Sequence, residues 1–411
     1  MVRAYAEFGE PGEKTKLLIP PTLPFPRKGL PKNAIIKQLK KKLNQNLYAS
    51  SRNFSIVYAG HPHPITRRAS QLAEGTFFAD WEQDSFRGTY LLEKEAVRMV
   101  GSLLGAPNAF GFITSGGTES NLIAMRMARD ITRKKRPEII LPETAHFSFK
   151  SAAELLGLKI RYIPLNPDMS PKMEDVGRLI NDHTICLVCS APEAFLGQMD
   201  PVKEFSEIAL RRNLLLHVDA AFGGFILPFM HELGYDVPQF DFRLPGVTSM
   251  MTDGHKLGLL PLTASFFLVR DAKYLMSIPT EDTLIHTITS TKPGRQAACA
   301  WTVFKHLGKE GYVREIRHVL EVVNLIADGI EKIEGLRLMA RPFITILAFT
   351  SNVYDLSQVH SELQRKGWGT LLEKRHGAWV VRLSIHPDVR KSNARLFLEA
   401  LNDTIQATSH H

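Results

Sequence analysis

Apolar positions along this chain alternate between two textures. Short apolar runs, "AFGFITS", "EIILPE", "IRYIPL", "TICLVCSA", "LLLHVDAAF", "GVTSMMTD" and "ASFFLVR", succeed one another through the middle of the chain. Between them lie longer stretches with apolar residues at helical spacing, such as "LEKEAVRMVGSLLG", which closes on Gly105. Alternation of this kind predicts an α/β protein of βαβ units around a mostly parallel sheet. A long helical region begins near Arg295 and contains the punctuation "GKEGY". Beyond it, "RPFITILAFTS", "HSELQRKG", "AWVVRLSIHP" and "NARLFLEALNDTI" mix strand and helix and predict a smaller α/β domain. Residues 1–33 are rich in proline and glycine and read as an extended arm, followed by a basic helix from Asn33 to about Asn46. The expected organisation is an N-terminal arm and helical segment (1–92), a large domain (93–310) and a small C-terminal domain (311–411).

Composition narrows the function classes. The chain has 411 residues, 44% of them hydrophobic and 23% charged, which is ample for a large core. No apolar stretch is long enough to span a bilayer, and "MVRAYAEFGEPGEKTK" has no apolar signal core, so a cytoplasmic protein without a membrane span is expected. The three cysteines suit a reducing compartment. Cys186 and Cys189 form a CxxC, but inside a strand, where residues three apart face opposite sides, so core packing is expected rather than a metal site. Net charge is +9. The basic runs "KQLKKK" and "RKKRP" lack interleaved aromatics and read as solvated helix faces or ends, not as a nucleic-acid site. A mildly basic surface also favours anionic ligands.

Four segments carry candidate chemistry. In "ITSGGTESNLIAMRMARD" a strand enters a Ser-Gly-Gly-Thr turn and then a helix, an arrangement that serves an anion or an ordinary capped helix start. Glycines let the backbone approach a ligand, and Ser115 and Thr118 add hydroxyls. In "LPETAHFSFKSAAELLG", His146 follows a strand and is suited either to stack on a flat ring or to serve structurally. In "LLLHVDAAFGGF", Asp219 ends an apolar strand, where α/β sheets bind ligands; a capping role is the alternative. In "MMTDGHKLGLL", Lys256 sits at an apolar junction, either reaching to solvent or, with reduced proton affinity, acting as a nucleophile.

Taken in order, "TSGGTESN", "AHFSFKSA", "HVDAAFGGF" and "DGHKLGLLP" resemble the group II amino acid decarboxylases among the fold-type I pyridoxal-phosphate enzymes. In particular they resemble the archaeal tyrosine/aspartate decarboxylase branch, itself related to glutamate decarboxylase and sphingosine-phosphate lyase. The resemblance also takes in "HPHP", "GTYLLEKEAVRM", "KHLGKEGY" and "WVVRLSIHP". It implies the fold-type I transferase fold: a mostly parallel seven-stranded sheet with helices on both faces and a small C-terminal α/β domain. It implies that Lys256 holds pyridoxal 5′-phosphate as an imine, that Asp219 keeps the ring nitrogen protonated, and that His146 stacks on the ring and assists proton transfer. Gly116, Gly117 and Thr118 would bind the phosphate with His255 beside it, and Ala221 would pack on the other ring face. Arg382 would pair with a substrate carboxylate. Ser290 and Thr291 would reach the phosphate of the neighbouring subunit, which implies a homodimer.

The reaction implied is removal of the α-carboxylate of an L-amino acid of aspartate, glutamate or tyrosine type, giving an amine and carbon dioxide, with no metal. A carbon–carbon lyase of the sphingosine-phosphate lyase type, or a homologue with altered or lost activity, is the alternative. Several departures mark this chain, two of which concern residues near the cofactor's O3′ and the lysine. Glu193 and Ala194 in "SAPEAFLGQMD" stand where relatives carry threonines near the cofactor's O3′, and Gly254 precedes His255 where proline is common.

Overall fold

The computed structural model describes residues 26–43, 50–78, 85–276, 287–289, 291–375 and 377–408. The first described elements are α1 (Lys32–Leu43), α2 (Ile65–Leu72), the short β1 (Phe77–Phe78) and α3 (Arg87–Leu103). The alternating region then gives β2 (Phe110–Thr114), α4 (Gly117–Thr132), β3 (Glu138–Pro142), α5 (Ser148–Leu156), β4 (Lys159–Ile163), α6 (Met173–Leu179) and β5 (Thr184–Ser190). After these come α7 (Val202–Arg212), β6 (Leu215–Asp219), α8 (Leu227–Glu232), β7 (Ser249–Asp253), β8 (Ser265–Val269) and α9 (Ala272–Met276). The seven apolar runs of the sequence are thus the seven strands of one sheet, ordered β2-β8-β7-β6-β5-β3-β4.

The inner strands are mostly apolar because helices cover both faces of the sheet, while the edge strand β4 leaves Lys159 and Tyr162 exposed. Successive residues feed two cores: Ile113, Ile140, Met250, Phe266 and Leu268 one, Phe112, Ile139, Leu141, Phe267 and Val269 the other. The CxxC obeys the same rule. Cys189 lies in the first core and Cys186 in the second, both thiols buried and unpaired to any disulfide.

A two-residue strand β9 (Lys292–Pro293) pairs with β1 and leads into the long helix α10 (Gly294–Glu331). The helix is interrupted at Gly308, whose φ of 55° and ψ of −171° are not helical. The boundary expected between 310 and 311 therefore falls inside α10, just past this break, and the one expected at 92 falls inside α3. Buried Lys292 anchors the entry to α10, its Nζ donating to Glu93 Oε1 and to the Ile113 carbonyl, each at 3.0 Å.

The small domain holds β10 (Leu336–Leu338), β11 (Ile346–Ser351), α11 (Leu356–Arg365), β12 (Leu371–Arg375), β13 (Ala378–Ser384) and α12 (Lys391–Thr408). Its strands form an antiparallel sheet ordered β10-β11-β13-β12. The segment before α2 docks here: Phe54 N–H donates to the Gly369 carbonyl, and the Phe54 ring packs against Trp368 and Phe397 with centroids 5.4 and 5.2 Å away. Complete burial of that ring is worth about 2–3 kcal/mol. It carries Tyr58 toward the sheet edge described next. Among the described residues no helix is long and apolar enough to cross a membrane, and no cluster of His, Cys, Asp and Glu could hold a metal.

Candidate active site

Strand direction gathers the candidate residues. β5, β6 and β7 run parallel to β3, while β8 is antiparallel to β7 and β2 antiparallel to β8, so β2 recovers the common direction. The carboxyl ends at Thr114, Pro142, Ser190, Asp219 and Asp253 therefore share one edge of the sheet, and β3 and β5 flank the point where the winding reverses. The loops beyond these ends enclose a cavity of about 320 Å³. Gly116, Gly117, Thr118 and His146 line it on one part, and Asp219, Ala221, His255 and Lys256 on another.

Backbone constraints explain the glycines. Gly116 has φ +149°, which side-chain-bearing residues avoid, and a Cβ on Gly117 would stand 2.8 Å from Met251 Cε and 3.0 Å from Asp253 Oδ1. The turn leaves the free N–H groups and positive dipole end of α4 at the cavity. Glu119 braces this turn. Its Oε2 accepts from Ser115 N at 2.6 Å, and its Oε1 from Ile288 N at 3.0 Å and Thr289 N at 3.1 Å. Burial pushes its carboxyl pKa up, but these donors outweigh burial and hold it below the ordinary value.

Asp219 is buried. Its Oδ2 accepts from Asn121 Nδ2 at 2.9 Å and its Oδ1 from Ala221 N at 3.1 Å. His146 is half-buried; burial and the nearby Lys256 charge lower its pKa below 6.5, against the pull of Asp219 and Asp253. The Lys256 ammonium, its side chain 13% exposed, lies 2.9 Å from Asp253 Oδ2 and 4.3 Å from the Phe222 ring centroid. Burial alone would raise the Asp253 pKa, but Lys256 and then His255 keep it below the ordinary carboxylate value.

A second cavity of about 770 Å³ shares Tyr58, His146, Ala194, Phe222 and Lys256 with the first and reaches Arg382. Arg382 donates from Nε to Glu373 Oε1 and from Nη1 to the Ala194 carbonyl, both at 2.9 Å. Glu373 Oε2 accepts from Arg375 Nη2, also at 2.9 Å.

The two sequence departures have structural causes. Glu193 faces into its own loop, where its carboxylate accepts from the backbone N–H groups of Phe195, Leu196 and Gln198 at 2.5, 2.7 and 3.1 Å. Burial nonetheless raises its pKa. Ala194 presents only a methyl group to both cavities. At Gly254 a Cβ would stand 2.6 Å from Leu260 Cδ1 and 3.1 Å from Phe266 Cε2, so these side chains fill the space that a larger residue would need.

The cavity thus gathers Gly116, Gly117, Thr118, His146, Asp219, Ala221, His255 and Lys256, with Arg382 in the adjoining one. Thr291 is exposed and does not line either cavity, and Ser290 lies outside the described residues. Reading the sequence missed Asp253, Asn121 and Glu119. Only Asp253 had a local signal, as the last residue of an apolar strand and three before Lys256.

This donor set fits pyridoxal phosphate. A weakly solvated amine suits its aldehyde, a buried carboxylate its ring nitrogen, and a glycine turn at a helix amino terminus its phosphate. Asp253 Oδ1 in the cavity wall is buried without a hydrogen-bond partner among the described residues, as a site that completes its polar contacts on ligand binding would leave it.

Comparison with known proteins agrees. The pyridoxal-dependent decarboxylase conserved domain matches residues 76–352. A probable L-aspartate decarboxylase of Thermococcus gammatolerans is 36% identical over 392 residues, covering 93% of this chain and all of that protein. A sphingosine-1-phosphate lyase of rice is 39% identical over 303 residues, covering 70% of this chain and 56% of that protein. The structure of a sphingosine-1-phosphate lyase of Burkholderia pseudomallei superposes with a TM-score of 0.86 at 27% identity, over 100% of this chain and 96% of that one. The chain therefore belongs to the pyridoxal-dependent decarboxylase family, enzymes that use pyridoxal 5′-phosphate to act on amino acids.

Proposed function

We propose that the protein removes the α-carboxylate of an L-amino acid, L-aspartate ahead of L-glutamate or L-tyrosine, releasing carbon dioxide and an amine. The observation that carries this reading is the convergence of Lys256, Asp219 and the turn at 116–118 on one cavity beside the Arg382 cluster. Glu373 lies between Arg382 and Arg375, so one carboxylate faces two guanidiniums and the cluster keeps a positive charge. Lys150 and Lys374 line the same cavity. Such a wall favours a substrate with a carboxylate at each end. The name of the Thermococcus relative supports the same choice.

When bound, pyridoxal phosphate supplies an aldehyde for the substrate amine and a protonated ring that accepts the electron pair released at Cα. Lys256 would hold the cofactor through its amine, with Asp253 orienting that amine at 2.9 Å. The Asp219 carboxylate keeps a proton at the ring nitrogen. His146, with its lowered pKa, is neutral at working pH and offers an uncharged face to the ring. Among the described residues Arg382 Nη2 makes no hydrogen bond, so it would be left to pair with the substrate's α-carboxylate and orient it. Phe222 and the Ala194 methyl give the cavity an apolar wall that would limit the access of water.

The reading includes a homodimer in which the neighbour's residues 290 and 291 complete the phosphate site. Buried, unpaired Cys186, Cys189 and Cys299 suit a cytoplasmic location.

The test is carbon dioxide release from L-aspartate, L-glutamate and L-tyrosine by protein loaded with pyridoxal phosphate. Borohydride should fix the cofactor on Lys256, and Lys256→Ala should lose both the visible absorption band and turnover. Retention of both by that variant sinks the reading. Similarity to sphingosine-1-phosphate lyases, together with a cationic cavity able to hold a phosphate, favours one second reading, carbon–carbon cleavage of a phosphate-bearing amine. Aldehyde formation without carbon dioxide would select it.

A further inference from the structure

One buried amide links the two groups assigned to the cofactor ring. Asn121 is 1% exposed, and each of its polar atoms is used. Nδ2 donates both to Asp219 Oδ2 and to Ser148 Oγ, each at 2.9 Å. Because the amide nitrogen faces a carboxylate, Oδ1 must face His217 Nε2, 3.0 Å away. An amide oxygen only accepts, so His217 carries its proton on Nε2. His217 Nδ1 then accepts from Ser249 Oγ at 2.9 Å. Complete burial pushes the His217 pKa down to about 3, so the ring stays neutral and a single tautomer persists.

The second branch runs to His146. Ser148 Oγ accepts from Asn121 and passes its own proton toward His146 Nδ1 at 2.8 Å. The Ser148 N–H also points at that nitrogen, at 3.3 Å. His146 Nδ1 is therefore an acceptor, and its proton resides on Nε2. Strand period explains the assembly: His217 and Asp219 are two apart on β6 and share a face, and α4 brings Asn121 to both.

We propose that Asn121, oriented by His217, is a positioning residue that aims Asp219 at the cofactor ring nitrogen and fixes His146 as the Nε2–H tautomer. The orientation of one amide then sets both groups facing the ring. This rests on the cofactor placement proposed above, but neither of its arms needs the substrate assignment.

The experiment compares wild type, Asn121→Ala and Ser148→Ala as holoenzymes. The readouts are the pyridoxal phosphate dissociation constant, the pH dependence of the visible absorption band, kcat and KM for L-aspartate, and the thermal midpoint. Asn121→Ala loses a hydrogen bond to a charged group. It should weaken cofactor binding about tenfold or more, shift the pH midpoint of the band, and lower kcat about tenfold with KM within about threefold. Ser148→Ala keeps the Asp219 branch. It should leave cofactor affinity within about twofold but move the pH profile of kcat. A folded Asn121→Ala with unchanged cofactor affinity and an unchanged band titration overturns the proposal. Should that variant fail to fold, Ser148→Ala decides, and an unmoved pH profile overturns it equally. If wild type turns over no amino acid, the substrate reading fails, while cofactor affinity and the band titration still decide the role of Asn121.

Discussion

Lys256 has a second duty that is measurable without any cofactor. Its ammonium lies 2.9 Å from Asp253 Oδ2, with side chains 13% and 4% exposed, so in cofactor-free protein it is the cation of a buried ion pair. Replacing Lys256 by Met keeps most of the packing volume and strands the carboxylate. Removing one partner of a buried pair costs about 3–5 kcal/mol. His255 Nε2, 3.8 Å from the same oxygen, offsets part of that, so a loss of about 3 kcal/mol at neutral pH is expected. The sign with pH follows from the carboxyl. In the wild type its pKa is depressed, so it stabilises the fold above its ordinary value, and that contribution fades as pH falls through the depressed one. In Lys256→Met burial dominates, the pKa rises, and ionisation costs stability as pH climbs. The difference between the two proteins should be largest at pH 7.5, smaller at pH 4, and lost only as pH falls further through the depressed wild-type pKa. Urea unfolding of cofactor-free protein at both pH values measures it, with Lys256→Met/Asp253→Asn as the rescue. Equal stability of Lys256→Met and wild type at pH 7.5, or no recovery in the double variant, would refute the reasoning.

Four other predictions are more local. Glu193→Ala orphans three backbone N–H groups and should cost about 2–4 kcal/mol, with faster amide exchange at Phe195, Leu196 and Gln198; normal protection there would contradict the bracing role. Gly254→Ala drives a methyl against Leu260 and Phe266 and should lower stability by about 1–3 kcal/mol, read by thermal unfolding. Arg382→Ala should raise KM about tenfold or more for every amino acid substrate while cofactor binding persists. Arg375→Ala should raise KM for L-aspartate but not for L-tyrosine, and an equal effect on both counts against a carboxylate contact.

Much of the large domain was legible because a parallel sheet covered on both faces writes its strands as apolar runs. All seven runs became strands. In the small domain β12, "LLEKR", escaped notice because it is a polar edge strand, with Glu373 and Arg375 serving the cavity rather than a core. The CxxC was readable from strand period alone. The role of Glu193 was not: a carboxylate at a threonine position suggests altered chemistry, and only the fold of its loop shows it accepting from backbone N–H groups.

The sequence by itself determined which chemical groups are present and in what order: a glycine turn, an imidazole, a strand-end carboxylate and a lysine. Order survives in one dimension, and each group announces itself by its position at the end of a periodic element. The tertiary structure alone decided the pairings, Lys256 with Asp253, Asn121 with Asp219 and His217, and Arg382 with Glu373. Asn121 and Asp219 are 98 residues apart and meet because β2 reaches the common strand direction through two antiparallel pairings. No local spacing encodes that step, since it depends on how distant strands order themselves in the sheet.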